Sequence, residues 1–330
     1  GMAVVYLAED LKHRRRVALK VLRPELAEAI DHERFAREIE VAAGLNHPNI
    51  LSLHDSGEAD GARWFVMPYV DGESLRDVLD REGTLELDLA TMYAREIASA
   101  LSYAHGEGLV HRDIKPENVL LQAGHAVVCD FGIAKAMRDV QRDPLTQTGM
   151  SVGTLTYMSP EQLSTDTDID GRADIYALGC VLHEMLEGEA PFSASTPQVS
   201  VARKLMGDLP NRSTQRAVPD SVWSVVRKAL ATDAEDRYAE AEDFADALEF
   251  ARTDLAIARS HRRRLATSSV RAVAGLLTVV VLVAAGLWLS DRATAPTYAR
   301  LAVMPLANGA GDPREDFYVQ GVYEDLVADM

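Results

Sequence analysis

Cysteine is scarce in this sequence, and so is positive charge. Its 330 residues hold two cysteines, Cys129 and Cys180, each inside an apolar run and far apart along the chain. Two thiols exclude a disulfide framework and argue against a zinc site; they fit buried thiols in a reducing compartment. Lysine and arginine total 34 against 51 aspartates and glutamates, a formal charge of −17. Such an excess of acid argues against a nucleic-acid partner and fits a solvated acidic surface. No signal peptide opens the sequence, so membrane targeting is expected only from within it. No internal repeat is visible. Long apolar runs are also missing, with one exception at residues 272–290, which carry no charge.

What is present concentrates near the middle. His111-Arg112-Asp113-Ile114-Lys115-Pro116-Glu117-Asn118 is followed, twelve residues past Asn118, by Asp130-Phe131-Gly132. Acids, an amide and a lysine thus stand just outside apolar, strand-like runs, an arrangement that core packing does not explain. Ionisable groups at strand ends are where a phosphate-and-metal site is built.

The flanking chain reads in order. Residues 2–8 and 16–22 read as two strands around a polar turn at 9–15. Period two sets Ala18, Lys20 and Leu22 on one face. A lone lysine there is ordinarily an edge or solvent-facing residue. A helix is expected over 24–45, with Phe35, Ile39, Ala42 and Leu45 at helical spacing. Glu38 lies on or beside that inward face, where a carboxylate is costly unless paired; the alternative is an exposed acid beside Arg34 and Arg37. Residues 63–70 read as a strand running into a linker at Asp71-Gly72. Between 87 and 104, Ala90, Ala94, Ile97, Leu101 and Ala104 mark an amphipathic helix, and the sequence stays helical with long loops to about residue 252.

Several motifs in this order, over roughly three-quarters of the chain, resemble a protein kinase, and within that family the bacterial eukaryotic-like (Hanks-type) transmembrane serine/threonine kinases. The resemblance implies an α+β, two-lobed fold. Residues 1–70 are the N-lobe, lacking its first strand, and the hinge; 71–256 are the helical C-lobe. It implies ATP and Mg²⁺ as cofactors, with Mn²⁺ as an alternative, and serine or threonine hydroxyls of proteins as acceptors. Val-Ala-Leu-Lys at 17–20 makes Lys20 the lysine on the α- and β-phosphates, and Glu38 its salt-bridge partner. Val5 and Ala18 lie above the adenine and Leu120 below it. Met67 is the gatekeeper, Pro68 offers the carbonyl that proline retains, and Val70 offers the N–H.

By the same resemblance Asp113 receives the hydroxyl proton, Lys115 neutralises the transferring phosphate, and Asn118 and Asp130 hold the metal. Lys115 in this motif is the serine/threonine pattern rather than the tyrosine one. Residues 133–157 resemble an activation loop closed by Ser159-Pro160-Glu161. Thr146 and Thr148 read on sequence alone as solvated threonines; the family implies phosphorylation in trans within a homodimer. Arg112 is then placed to pair with the phosphate. Asp174 is implied to support the catalytic-loop backbone, and Arg237 to pair with Glu161.

The sequence also departs from the pattern. In G-x-G-x-x-G-x-V, Val5 takes the last position and Ala3 the third glycine, so the first two glycines fall before residue 1. Those glycines let backbone cover the phosphates. The expectation is a chain truncated at both ends that binds ATP weakly, with a catalytically impaired kinase-fold scaffold as the alternative. A small-molecule kinase fits the Ser-Pro-Glu segment poorly.

At about 1.5 Å per residue a helix over 272–290 spans roughly 28 Å, close to a bilayer core of about 30 Å. A buried core helix is the alternative, which the all-round apolar composition disfavours. The basic stretch 257–271, with His261-Arg262-Arg263-Arg264 and Arg271, sets the expected orientation: a single-pass plasma-membrane protein, its kinase domain cytoplasmic, its basic run touching anionic lipid. Residues 291–330 are expected to begin an extracytoplasmic domain, with a strand at 301–306 and a helix at 317–330.

Overall fold

Two apolar runs on either side of a polar turn form the first hairpin in a computed structural model of the chain. Residues 3–23, 32–59, 61–131, 152–164, 169–209, 218–253 and 279–289 are described. Strand β1 (Ala3–Asp10) pairs antiparallel with β2 (Arg15–Leu22), setting Val5 opposite Lys20 and Leu7 opposite Ala18. The turn is tighter than the expected 9–15, because the Asp10 carboxylate accepts the N–H groups of Lys12 and His13 at 3.1 Å each. Arg14 completes it in the left-handed region, at φ 53°.

Two more strands extend this sheet. β3 (Asp55–Ala59) and β4 (Ala62–Pro68) give the order β1-β2-β4-β3, so the lysine strand sits inside the sheet and β1 at its edge. β3 lacks apolar alternation and was not expected; its pairing to β4 forms it. Helix α1 (His32–Gly44) packs Ile39 against Leu22, Phe65 and Met67, a small core of its own. The expected helix start at 24–31 lies outside the described residues.

The larger lobe is helical. α2 (Leu75–Glu82) opens with a capping box in which Ser74 and Asp77 satisfy each other's backbone N–H. α3 (Leu87–Gly106) buries Ala90, Ala94, Ile97, Leu101 and Ala104, as its spacing predicts. A second sheet, in order β5-β6-β7, joins β5 (Glu73–Ser74), β6 (Val119–Gln122) and β7 (His125–Val128). Short helices α4 (Val152–Tyr157) and α5 (Pro160–Leu163) precede α6 (Arg172–Glu187), which is buried at every residue from Ala173 to Leu186. α7 (Pro197–Met206), α8 (Asp220–Ala229) and α9 (241–253) complete the lobe. A β-sheet lobe and a helical lobe are the two-lobed arrangement that the sequence implied.

The lobes meet along two lines of backbone. Leu51 N donates to Val128 O and Val128 N to Asn49 O, both at 2.8 Å, tying the segment after α1 to β7. The other line is the hinge. A Cβ on Gly72 would sit 2.2 Å from Leu121 O, so only glycine lets the hinge approach β6 this closely.

By contact the chain divides into two units, 1–260 and 261–330. Of the second, a helix at 279–289 is described, with its side chains exposed. Among the described residues no helix is long and apolar enough to cross a membrane. The expected span 272–290 falls partly outside them, and the stretches 257–271 and 291–330 wholly so.

Candidate active site

The loop before β6 carries the first group of site residues, and its backbone shape comes from α6. Asp174, buried to 1 % exposure, accepts the N–H of His111 at 2.8 Å and of Arg112 at 2.6 Å. His105, from the last turn of α3, donates Nε2–H to the same carboxylate at 2.9 Å. Burial alone raises such a carboxyl; the bonds from His105 and the Arg112 N–H, with the nearby histidines, hold Asp174 below its ordinary range. Arg112 is thereby kept at φ 68°, a costly conformation for a residue with a side chain.

His111 locks the next residue. Its Nδ1 accepts the Asp113 N–H at 3.2 Å, so Nε2 bears the hydrogen and donates it to Cys129 O at 2.9 Å. The ring also meets Phe131 edge-on, with centroids 4.6 Å apart. Lys115 Nζ donates to Asp113 Oδ2 at 2.7 Å. Asn118 Nδ2 donates to Asp113 O at 2.8 Å and to Oδ2 at 3.1 Å. The Asn118 carbonyl in turn accepts the N–H of Cys129 at 3.0 Å, which fixes the residue before Asp130. Asn118 therefore links the Asp113 carboxylate to the strand end that bears Asp130.

Asp130 is also left-handed, at φ 69°. Its Oδ2 meets Lys20 Nζ at 2.5 Å, so the two lobes exchange an ion pair across the cleft. The resemblance implied Glu38 as the partner of Lys20; the pairing the structure shows for Lys20 is this one with Asp130. Glu38 is buried on the inner side of α1, as its spacing implied.

The remaining expected residues fall on the first sheet, the hinge, β6 and the large lobe. Ala18 and Met67 face the small core of the sheet, Met67 being buried; Pro68 lies opposite Val17, and Val70 follows in the hinge. Leu120 lies on β6 opposite Ser74 of β5. Val5, on the edge strand, is 59 % exposed. Arg237 grips Glu161 with two 2.7 Å bonds and spends its other N–H groups on the carbonyls of Ala231, Arg172 and Thr232. Burial raises the Glu161 carboxyl, but this guanidinium holds it below its ordinary value. Thr146 and Thr148 lie outside the described residues.

Sequence reasoning missed a second brace. Tyr157 O–H donates to Glu184 Oε2 at 2.5 Å, while Arg76 of α2 pairs with the other oxygen. Burial pushes the Glu184 carboxyl up against the pull of both partners. Gln162 Nε2 donates to Arg112 O at 3.0 Å. These partners stand 27, 108 and 50 residues apart, so no local pattern announces them.

The donor set suits one kind of metal. Among the described residues no cluster of three His, Cys, Asp or Glu side chains can hold an ion unaided. Asn118 and Asp130 offer an amide and a carboxylate oxygen, which fits a hard cation that takes few protein ligands and arrives with phosphate oxygens. A separate concavity of about 920 Å³ lies by α2, α3 and the β6–β7 turn and includes none of the residues above.

The comparisons agree with this geometry. The family model described as protein kinase domain matches residues 1–248. The serine/threonine-protein kinase PknB of Mycobacterium leprae is 43 % identical over 246 residues, 72 % of this chain and 39 % of that protein. PknB of Mycobacterium tuberculosis matches at the same identity and coverage. The serine/threonine-protein kinase PknH of Mycobacterium bovis is 42 % identical over 257 residues, 77 % of this chain and 42 % of that one. The chain thus spans about two-fifths of the length of these curated relatives. It belongs to the protein kinase family, with a Hanks-type serine/threonine kinase domain similar to those of PknB and PknH.

Proposed function

We propose that the chain transfers the γ-phosphate of ATP to serine and threonine hydroxyls of proteins. The observation that carries this reading is the cleft itself: Lys20 paired to Asp130 at 2.5 Å, and Asp113 holding Lys115 at 2.7 Å and Asn118 at 3.1 Å. Phosphoryl transfer asks a protein for alignment and charge neutralisation rather than covalent chemistry. Lys20 binds the nucleotide phosphates. Asp113 orients the acceptor hydroxyl and takes its proton, and Lys115 offsets charge on the phosphoryl oxygens. Asn118 and Asp130 would hold Mg²⁺, which when bound screens the phosphate charge. The Arg112 peptide, held by Asp174 and Gln162, keeps Asp113 aimed.

Labelled ATP supplied with casein is expected to give phosphoserine and phosphothreonine, with no phosphotyrosine. Labelled chain from the same reaction is expected to map phosphate to Thr146 and Thr148, transferred within a homodimer. Absence of any transfer to casein favours the scaffold reading. Transfer without modification of either threonine removes only the autophosphorylation.

The uncharged run at 272–290, with basic residues before it, supports a single membrane anchor and a cytoplasmic kinase domain. Alkaline phosphatase fused after residue 292 is expected to be active in cells, and the same fusion after residue 256 inactive. Equal activity of the two fusions sinks the anchor.

A further inference from the structure

The turn between β1 and β2 takes no part in the steps above, and it is the most basic run of the described residues. Lys12, His13, Arg14, Arg15 and Arg16 follow one another, and all are exposed. Residues 9–16 hold four lysines and arginines against two acids, Glu9 and Asp10, in a chain of formal charge −17.

Both acids are engaged within the hairpin. Glu9 lies opposite Arg16 in the ladder. Asp10 accepts the N–H groups of Lys12 and His13, meets His13 Nδ1 at 2.8 Å and accepts Arg15 Nε–H at 3.3 Å. The bond from His13 holds this carboxyl down at about 2, so the turn keeps its charged anchor. Arg16 is taken up at the hinge, 4.6 Å over the Tyr69 ring and 3.9 Å from Asp71. Lys12 and Arg14 form no ion pair among the described residues. The excess of positive charge reaches the next strand. Burial first, and then Arg15, hold the His54 imidazole below its ordinary value, against the pull of Asp10.

Beside these two free cations stands Leu11, 83 % exposed. In water that side chain buries nothing; at a bilayer interface it would leave water while its basic neighbours met the headgroups. A hairpin end offers a point of contact rather than a groove for a peptide. A second copy of the same tip would meet like charge. At physiological salt, charges beyond about 8 Å are screened, so a flat anionic surface senses the tip and not the whole acidic chain.

We propose that the β1–β2 turn is a contact for anionic membrane lipid, with Leu11 entering the interface and Lys12 and Arg14 meeting the headgroups. The contact needs neither the kinase reading nor the anchor at 272–290.

The test mixes the full chain with vesicles of phosphatidylcholine, alone or with about one-third phosphatidylserine, and follows amide exchange in the peptide covering 9–17. Exchange there is expected to slow only on the phosphatidylserine vesicles, and to recover in high salt. The readout is local, so it holds whether or not 272–290 spans the bilayer. Lys12→Gln and Arg14→Asn are expected to cut the protection about fivefold apiece, the scale of one basic residue at such a surface. Asparagine tolerates the left-handed backbone at 14. Leu11→Gln lowers the protection with every charge intact. Where Arg14→Asn loosens the turn before any vesicle is added, the other two variants decide.

A parallel arm replaces the vesicles with polyglutamate. Protection by polyglutamate as strong as by vesicles, and indifferent to Leu11→Gln, assigns the turn to an acidic protein segment and overturns the proposal. Equal exchange on the two kinds of vesicle overturns it too, as does wild-type protection in both Lys12→Gln and Leu11→Gln.

Discussion

Replacing Asp113 by alanine is expected to lower kcat for casein phosphorylation about a thousandfold, within the range by which positioned proton acceptors accelerate reactions. ATP affinity is expected to change little, because Lys20, the proposed contact of the nucleotide phosphates, lies in the other lobe. The magnitude follows from what Asp113 holds. Its Oδ2 is shared by Lys115 and Asn118, so removing it leaves the acceptor hydroxyl without a base and two donors without their common anchor. Single-turnover measurement with pre-bound nucleotide separates the two: the burst rate falls while the nucleotide titration keeps its midpoint. An Asp113→Ala variant that turns over within tenfold of wild type removes the assignment.

The second large effect comes from a residue that touches no substrate. Asp174→Ala is expected to destabilise the chain by about 3 kcal/mol or more, since it strands the N–H groups of His111 and Arg112 inside the protein. Activity falls with it, because Arg112 loses what keeps it left-handed and Asp113 follows. Asp174→Asn keeps the size and separates charge from shape. The sign of the pH dependence follows from the depressed folded-state value. A carboxyl lowered on folding contributes stability above its unfolded value, about 3.9, and loses that contribution as pH falls through the lower folded one. Wild type is therefore expected to lose stability below about pH 4 more steeply than Asp174→Asn, measured by urea denaturation across that window. Parallel curves for the two proteins contradict the account.

Much of this site was legible in the linear sequence, and the reason is local. His111 to Asn118 are adjacent, and Asp130 stands twelve residues on, so one strand-turn-strand unit carries most of the chemistry. Lys20 was singled out by the resemblance of Val-Ala-Leu-Lys to the kinase strand; period two alone placed it only on a face with Ala18 and Leu22. Segments with a marked apolar pattern, such as β2 and α3, appeared close to their expected bounds. β3 did not, because Asp-Ser-Gly-Glu-Ala becomes a strand only through its neighbour. Tyr157 and Gln162 stayed hidden because each is bonded to a main-chain or side-chain partner distant in sequence. Only the folded chain brings such partners together.

The burial of α6 has a mechanical consequence. Asp174 and Glu184 stand ten residues apart on it, about 15 Å along one axis. The loop bearing Asp113 hangs from the first and the segment at Tyr157 from the second. A single rigid rod therefore serves as the datum for both, like a rail to which two tools are bolted. Movement of the smaller lobe can open or shut the nucleotide side without changing the spacing between those tools.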